Sequence, residues 1–321
     1  MTLYPQQQME ENRTLVTEFM FLGFPTCPEL QIVLFLIFFI IYMLTLMENL
    51  IIICLVFFDH NLHKPMYFFI SNFSAVEIGF TSTAIPKLLS GFLMKKNISL
   101  MGCLTQLYLF FSFGTVECVF LAIMSFDRYM AICKPLHYTS VMNSRMCTIL
   151  AIFCWATGFL WIVVPITLVS QLTFCSPNVM NHFICDTSPL FALTCIRSYI
   201  TELICYTFTS CMILLSFVLT STSYIFIINT ILNTPSTTGR QKAFSTCTSH
   251  LTVISIFYGS VIFMYVRSAN AEAALDMDKV IALFYSVITP LINPLIYSLR
   301  NKDVTRALKK AMGRSQAQGR R

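Results

Sequence analysis

Three carboxyl groups stand where a carboxylate is costly. Glu48, Glu77 and Glu117 each fall inside a long apolar run, with no Lys or Arg at comparable depth to pair with them. A charge at the centre of a bilayer costs at least ~2.5–3.5 kcal/mol on insertion scales. Two chemistries relieve that cost. The carboxyls can take up protons, or they can share a small cation with the oxygens of Asn49, Ser74 and Asn293. The first makes them neutral, hydrogen-bonded glue between helices. The second makes Glu77 and Glu117 a sodium-type site.

A second constellation is built from charge and proline. MSFDRYMAICKP (124–135) places Asp127 and Arg128 side by side at the end of an apolar run. Alone this is an interfacial charge pair. PLINPLIYSLRN (290–301) adds Pro290 and Pro294, which lack an N–H and free the carbonyls of Ser286 and Pro290. A helix so broken can hinge, with Asn293 placed to satisfy freed backbone or bind a cation and Tyr297 one turn further on. A hinge near an acid–arginine pair has the parts of a two-state switch.

Thirteen cysteines complete the reactive set. Cys103, Cys175, Cys185 and Cys195 fall in or beside segments expected on the outer, oxidising side, where pairing is expected. Four cysteines allow three connectivities, and spacing does not separate them. The remaining cysteines read as small packing residues. The five histidines (His60, His63, His137, His182, His250) show no HxxxH or HExxH spacing, so neither a metalloenzyme nor a nucleophile–base pair is indicated.

The elements that must position these groups are membrane spans. Hydrophobic residues make up 56% of the 321-residue chain and charged residues 11%, against about 25% charged in soluble domains. About 20 apolar residues cross a bilayer core of ~30 Å. Seven runs qualify, at roughly 30–58, 66–91, 101–134, 147–170, 199–231, 243–266 and 278–299. The expected fold is an all-α membrane protein: a seven-helix bundle at 30–299, an outer N-terminal tail at 1–29 and a cytoplasmic tail at 300–321.

Orientation follows from basic residues. With the N-terminus outside, Lys64, Arg128, Lys134, Arg145, Arg240, Lys242 and eight tail residues from Arg300 to Arg321 face the cytoplasm. That is fourteen of 21 Lys and Arg, as the positive-inside rule requires. The net charge of +6 therefore reports topology, not nucleic-acid binding. No cleavable signal peptide is expected. Asn12-Arg13-Thr14 is the favoured glycosylation acceptor; Asn97-Ile98-Ser99 lies close to the membrane. In the tail, Val304, Ala307, Leu308, Ala311 and Met312 make one apolar helical face and Lys302, Arg306, Lys309 and Lys310 the rest. This reads as a short amphipathic eighth helix on the anionic inner leaflet.

Together with these features, LHKPMYFFISNFS (62–74), MSFDRYMAIC (124–133), NHFICD (181–186), SYIFI (223–227), KAFSTCTSHL (242–251), FYG (257–259) and PLINPLIYSLRN (290–301) occur in order. The chain resembles a tetrapod-type olfactory receptor, within the rhodopsin-like G-protein-coupled receptors, over nearly its whole length. The resemblance implies an odorant receptor at the plasma membrane that activates a stimulatory, olfactory-type G protein and adenylyl cyclase. It implies that Arg128 rests against Asp127, beside Tyr129. On activation Arg128 turns to the G protein with Tyr224 and Tyr297 holding it, while Lys242, Ser245 and Thr246 line the inner end of the sixth span and Asn293 and Pro294 shape the seventh. It implies disulfides Cys103–Cys185 and Cys175–Cys195, and a sodium-type site of Glu77 and Glu117 near Asn49. Glu48 departs from the family's usual Gly and Glu77 from its commoner Asp. No cofactor is implied beyond such a sodium ion.

Pockets of this kind lie between the outer halves of spans 3, 5, 6 and 7. Helical spacing selects Phe110, Phe111, Gly114 and Thr115; Phe208, Thr209 and Met212; Tyr258, Val261, Ile262 and Tyr265; and Ser286. Such a wall is mostly apolar with a few hydroxyls and suits a small, volatile, neutral ligand. No acid stands on the outer half of span 3, where Phe110 occupies the position that amine receptors fill with Asp, so a biogenic amine is disfavoured. The alternative from another class is an ion-coupled transporter or channel using Glu77 and Glu117; it lacks an internal repeat and a broken helix pair.

Overall fold

A computed structural model describes residues 16–23, 27–93, 96–267, 274–299 and 301–318. Long helices dominate. The first, α1 (Pro28–Phe58), has Pro at its first turn, where a missing N–H costs nothing. It is followed by α2 (Pro65–Leu93) and α3 (Leu100–Cys133), capped by Ser99 accepting from the Gly102 N–H. A short α4 (Pro135–Val141) leads to α5 (Ser144–Trp161), capped by Asn143, and α6 (Val163–Ser170) continues its path after a break at Ile162. The break is the work of Pro165, which offers no N–H to the Trp161 carbonyl.

Beyond a folded loop containing the short α7 (Thr187–Phe191) come α8 (Tyr199–Leu232), α9 (Thr237–Arg267) and α10 (Ala274–Leu283). A single π-helical turn at Phe284–Ile288 joins α10 to α11 (Thr289–Leu299), and α12 (Lys302–Gln318) closes the chain. α9 and α10 start several residues before the runs expected from hydropathy.

Five stretches are long and apolar enough to cross a bilayer among the described residues, with Cys247–Ile262 a shorter apolar helix. The most apolar stretch, in α1, is the least buried of the five. Ile32, Leu36, Ile40, Leu160, Leu214 and Ile225 project outward, each at least half exposed or nearly so. Apolar residues facing out fit lipid contact. Water would drive them inward.

The sheet corrects the all-α expectation, and the packing of α12 adds to that of a helix lying on the inner leaflet. A three-stranded sheet covers one end: β1 (Glu18–Phe21) pairs antiparallel with β2 (Asn97–Ser99) and parallel with β3 (Val179–Met180). Part of the expected tail is thus a strand that buries Phe19 and Phe21 against the loop. Within α12, Val304 and Ala307 are buried and pack on Ile52, Leu55 and Leu62 of the bundle, so part of the apolar face meets protein. Lys64 and Lys310 tie α12 down through Asp303 (3.1 Å) and Asp59 (3.5 Å).

Candidate ligand cavity and switch

At the sheet end the helices enclose a cavity of about 90 Å³. Seven sequence-predicted residues line it: Phe110, Phe111, Gly114 and Thr115 of α3, Thr209 and Met212 of α8, and Val261 of α9. Four do not. Phe208 backs onto Trp161, with ring centroids 5.1 Å apart and its carbonyl accepting from the indole N–H at 3.0 Å. The Tyr258 hydroxyl donates to Ser216 (2.9 Å) below the cavity. Ile262 is 47% exposed, and Ser286 bonds back to the Ala282 carbonyl at 2.6 Å. For α9 the reason is rotation: Phe257 and Val261, four apart, face the cavity. Tyr258 and Ile262, one residue on, are turned by about 100°. The Tyr265 side chain lies outside the described residues.

A larger cavity of about 430 Å³ opens beside it, between α3, α6, α8 and the loop at 181–189. Phe111, Thr209 and Asp186 line both spaces. Span 3 itself brings no acid to the lining, but Asp186 does from the loop, which folds inward. Disulfides Cys103–Cys185 and Cys175–Cys195 hold that loop. Gln106 reinforces it, accepting from the Cys185 N–H (3.0 Å) and donating to the Thr83 carbonyl (2.9 Å). His182 is buried beneath it. Its Nδ1 accepts from the Ile184 N–H at 3.2 Å, and burial pushes its pKa down, so it stays neutral.

Deeper in the bundle Glu77 and Glu117 are fully buried. Asn293 Nδ2 donates to Glu77 Oε1 at 2.5 Å, and Glu117 neighbours both Glu77 and the Tyr285 hydroxyl. One oxygen each of Glu77, Glu117, Asn49 and Asn293 is buried without a hydrogen-bond partner. Hard oxygens of this kind suit a small cation. No group of three His, Cys, Asp or Glu gathers as a metal site among the described residues, so amide oxygens would have to complete the set. Glu48 stands apart on α1, half-buried, with its Oε2 unpartnered.

At the opposite end Arg128 lies 3.6 Å from Asp127, both nearly buried. Asp127 Oδ1 also accepts from the Tyr138 hydroxyl at 2.9 Å. Tyr224, expected to hold Arg128 only on activation, here pairs with His250 Nδ1 at 2.8 Å. Tyr297 is buried with a free hydroxyl, its ring edge-on to Phe73, and Pro294 is inside α11. Tyr129 points away, against Phe226. The side chains of Lys242, Ser245 and Thr246 lie outside the described residues, as does Asn12.

A sequence model of the family described as olfactory receptor matches residues 38–315. The chain belongs to the olfactory receptor family. It is 50% identical to human olfactory receptor 11H6 over 306 residues, covering 94% of this chain and 92% of that one. To mouse olfactory receptor 6B9 it is 48% identical over 314 residues, covering 96% and 98%. Its fold is similar to that of squid rhodopsin, with a TM-score of 0.73 at 18% identity over 89% of this chain and 81% of that one. It is therefore a membrane-embedded odorant receptor of the G-protein-coupled class, and not an enzyme.

For this receptor, sequence reasoning missed Phe257, Tyr285, Ile184, Asp186, Tyr138 and His250. A local signal existed for two. Phe257 is i−4 from Val261, and His250 stands on the same motif as Lys242. Nothing in the local pattern brings Asp186 or Tyr138 to their sites, because a disulfide-held loop and the turn after α3 do that.

Proposed function

We propose that seven helices cross the plasma membrane with the N-terminus and Asn12 outside, and that α12 lies along the inner leaflet with its lysines toward anionic lipid. Fourteen of 21 basic residues on one side support this orientation. A small, largely apolar odorant enters the cavity bounded by α3, α8 and α9 and biases two packings of the bundle. It can do so only by preferring one of them.

The observation that carries the reading is the buried latch at the far end. Arg128 is held by Asp127, and Tyr224 is held by His250. This is a resting arrangement. In the active packing the inner end of α9 moves outward, His250 leaves Tyr224, and Arg128 is released to a stimulatory, olfactory-type G protein. Lys242, Ser245 and Thr246 would face that protein.

Glu77 and Glu117, with amide oxygens of Asn49 and Asn293, would hold a sodium ion in the resting packing. The ion would satisfy the four unpartnered oxygens. Sodium should then raise the thermal midpoint of the purified receptor more than choline does, and Glu117→Gln should abolish the difference. Equal response in both proteins would remove the ion site.

The function is tested by cyclic AMP in cells expressing the receptor with its G protein against a broad odorant panel. A ligand-dependent rise supports the reading. Silence across the panel, with receptor verified at the surface, counts against it.

A further inference from the structure

The loop carboxylate Asp186 belongs to both cavities. It lines the wider space and the narrower one, with Phe111 and Thr209 as the other shared walls. Its Oδ1 accepts the Thr187 N–H at 2.6 Å and the Thr187 hydroxyl at 3.3 Å. Both bonds fall on one oxygen, and Oδ2 makes neither. Among the described residues Asp186 has no ion-pair partner. His182 is close enough to feel the charges of Asp186 and Lys279, but burial keeps it neutral and it does not cancel the carboxylate.

Volume adds a second argument. The narrow cavity, about 90 Å³, is small for an odorant in this packing. The wider one, about 430 Å³, falls within the range of ligand sites, ~300–1,000 Å³. Its wall on α3, α6 and the break before α6 is apolar, from Leu107, Ile162, Ile166 and Val169. An apolar body there would place its polar end beside Asp186.

We propose that Asp186 anchors the hydrogen-bond-donating end of the ligand at the junction of the two cavities, so that the receptor selects odorants with an N–H or O–H donor, primary alkylamines foremost. This rests on the receptor reading and names the ligand class of its cavity. An ionised carboxylate prefers an ammonium over a hydroxyl, because charge-assisted hydrogen bonds are roughly twice as strong as neutral ones. An ether of the same skeleton offers no donor. It would leave the carboxylate unmatched, the situation in which polar sites reject analogues most strongly.

Asp186 also caps α7. Asp186→Asn keeps that cap, since Asn and Asp cap about equally well, and removes only the charge. The test compares linear C6–C9 primary amines, the matching alcohols and the methyl ethers, in cyclic AMP assays of wild type and Asp186→Asn at equal surface expression. In wild type the amines should act at about 10-fold or more lower concentration than the ethers, the ratio that ~1.4 kcal/mol provides. In Asp186→Asn the advantage should fall to about 3-fold or less, with the ethers unchanged, a residue of under ~0.7 kcal/mol. Equal potency of amines and ethers in wild type, or an advantage kept in Asp186→Asn, would overturn the anchor. Thermal stabilisation of the purified receptor by the same amines is read in parallel and does not depend on coupling. Stabilisation of wild type but not Asp186→Asn, without cyclic AMP, would support the anchor and count against the coupling. No stabilisation by any amine, with neutral odorants still signalling, would overturn the anchor alone.

Discussion

Tyr138→Phe should raise the ligand-free activity of the receptor. The Tyr138 hydroxyl donates 2.9 Å to Asp127 Oδ1, and Oδ2 of the same carboxylate lies 3.6 Å from Arg128. Tyr138 thus fixes the acid that holds the arginine, and removing its oxygen frees Asp127 to rotate. Hydrogen bonds to charged groups contribute ~1.5–3 kcal/mol. Tyr138 is only half-buried, so the lower end applies. If the bond belongs to the resting packing alone, losing ~1.5 kcal/mol shifts the two-state ratio about 12-fold, since ~1.4 kcal/mol is tenfold. A receptor active about 1% of the time without ligand, within the usual range of minor states, would become active about 11% of the time. The assay is ligand-free cyclic AMP per surface receptor, with Arg128→Ala as the floor. Basal signal in Tyr138→Phe equal to or below wild type would refute the latch, because Asp127 would then hold Arg128 without help or not hold it at all.

Three further outcomes are expected. At Gly158 an added Cβ would overlap the Val116 side chain and approach the Ser112 carbonyl oxygen to 2.9 Å. Overpacking of ~1–3 kcal/mol should outweigh the ~1 kcal/mol helix gain of alanine, so Gly158→Ala should lower the thermal midpoint of the purified receptor. At Gly259 nothing lies within 4 Å of the added carbon, so Gly259→Ala should raise the midpoint. The same sign for both would contradict the packing. His182 is held neutral by burial, so its folded pKa lies below its ordinary value of 6.5. The unfolded chain then binds the extra proton, and the stability this group contributes is present above about pH 6.5 and falls away below it. A thermal midpoint that declines between pH 7 and 5 in wild type, and less steeply in His182→Gln, is expected; parallel curves would exclude the role.

The long helices were legible because lipid demands long apolar runs, and the break at Ile162 could be read from Pro165. The sheet was not. Its strands are two to four residues long, too short for alternation to show, and β1 joins β2 and β3, which are far from it in sequence. The π turn at Phe284–Ile288 left no local signal either. In the cavity, all four α3 candidates line the space, because four residues on one face constrain its rotation. On α9 the chosen face was off by one residue, which exchanged Phe257 for Tyr258. The latch shows the same division: Asp127 and Arg128 are adjacent in sequence and were found, whereas Tyr138 and His250 reach Asp127 and Tyr224 only through tertiary packing.

The central claim is that this chain is a receptor whose buried Arg128 is released to a G protein. GTP loading of the stimulatory olfactory-type G protein in isolated membranes tests it most directly, with wild type and Arg128→Ala present in equal amounts and a cyclic AMP-active odorant added. The account predicts odorant-dependent loading in wild type and none in Arg128→Ala, with odorant-induced thermal stabilisation kept in both. Loading that survives Arg128→Ala would contradict it.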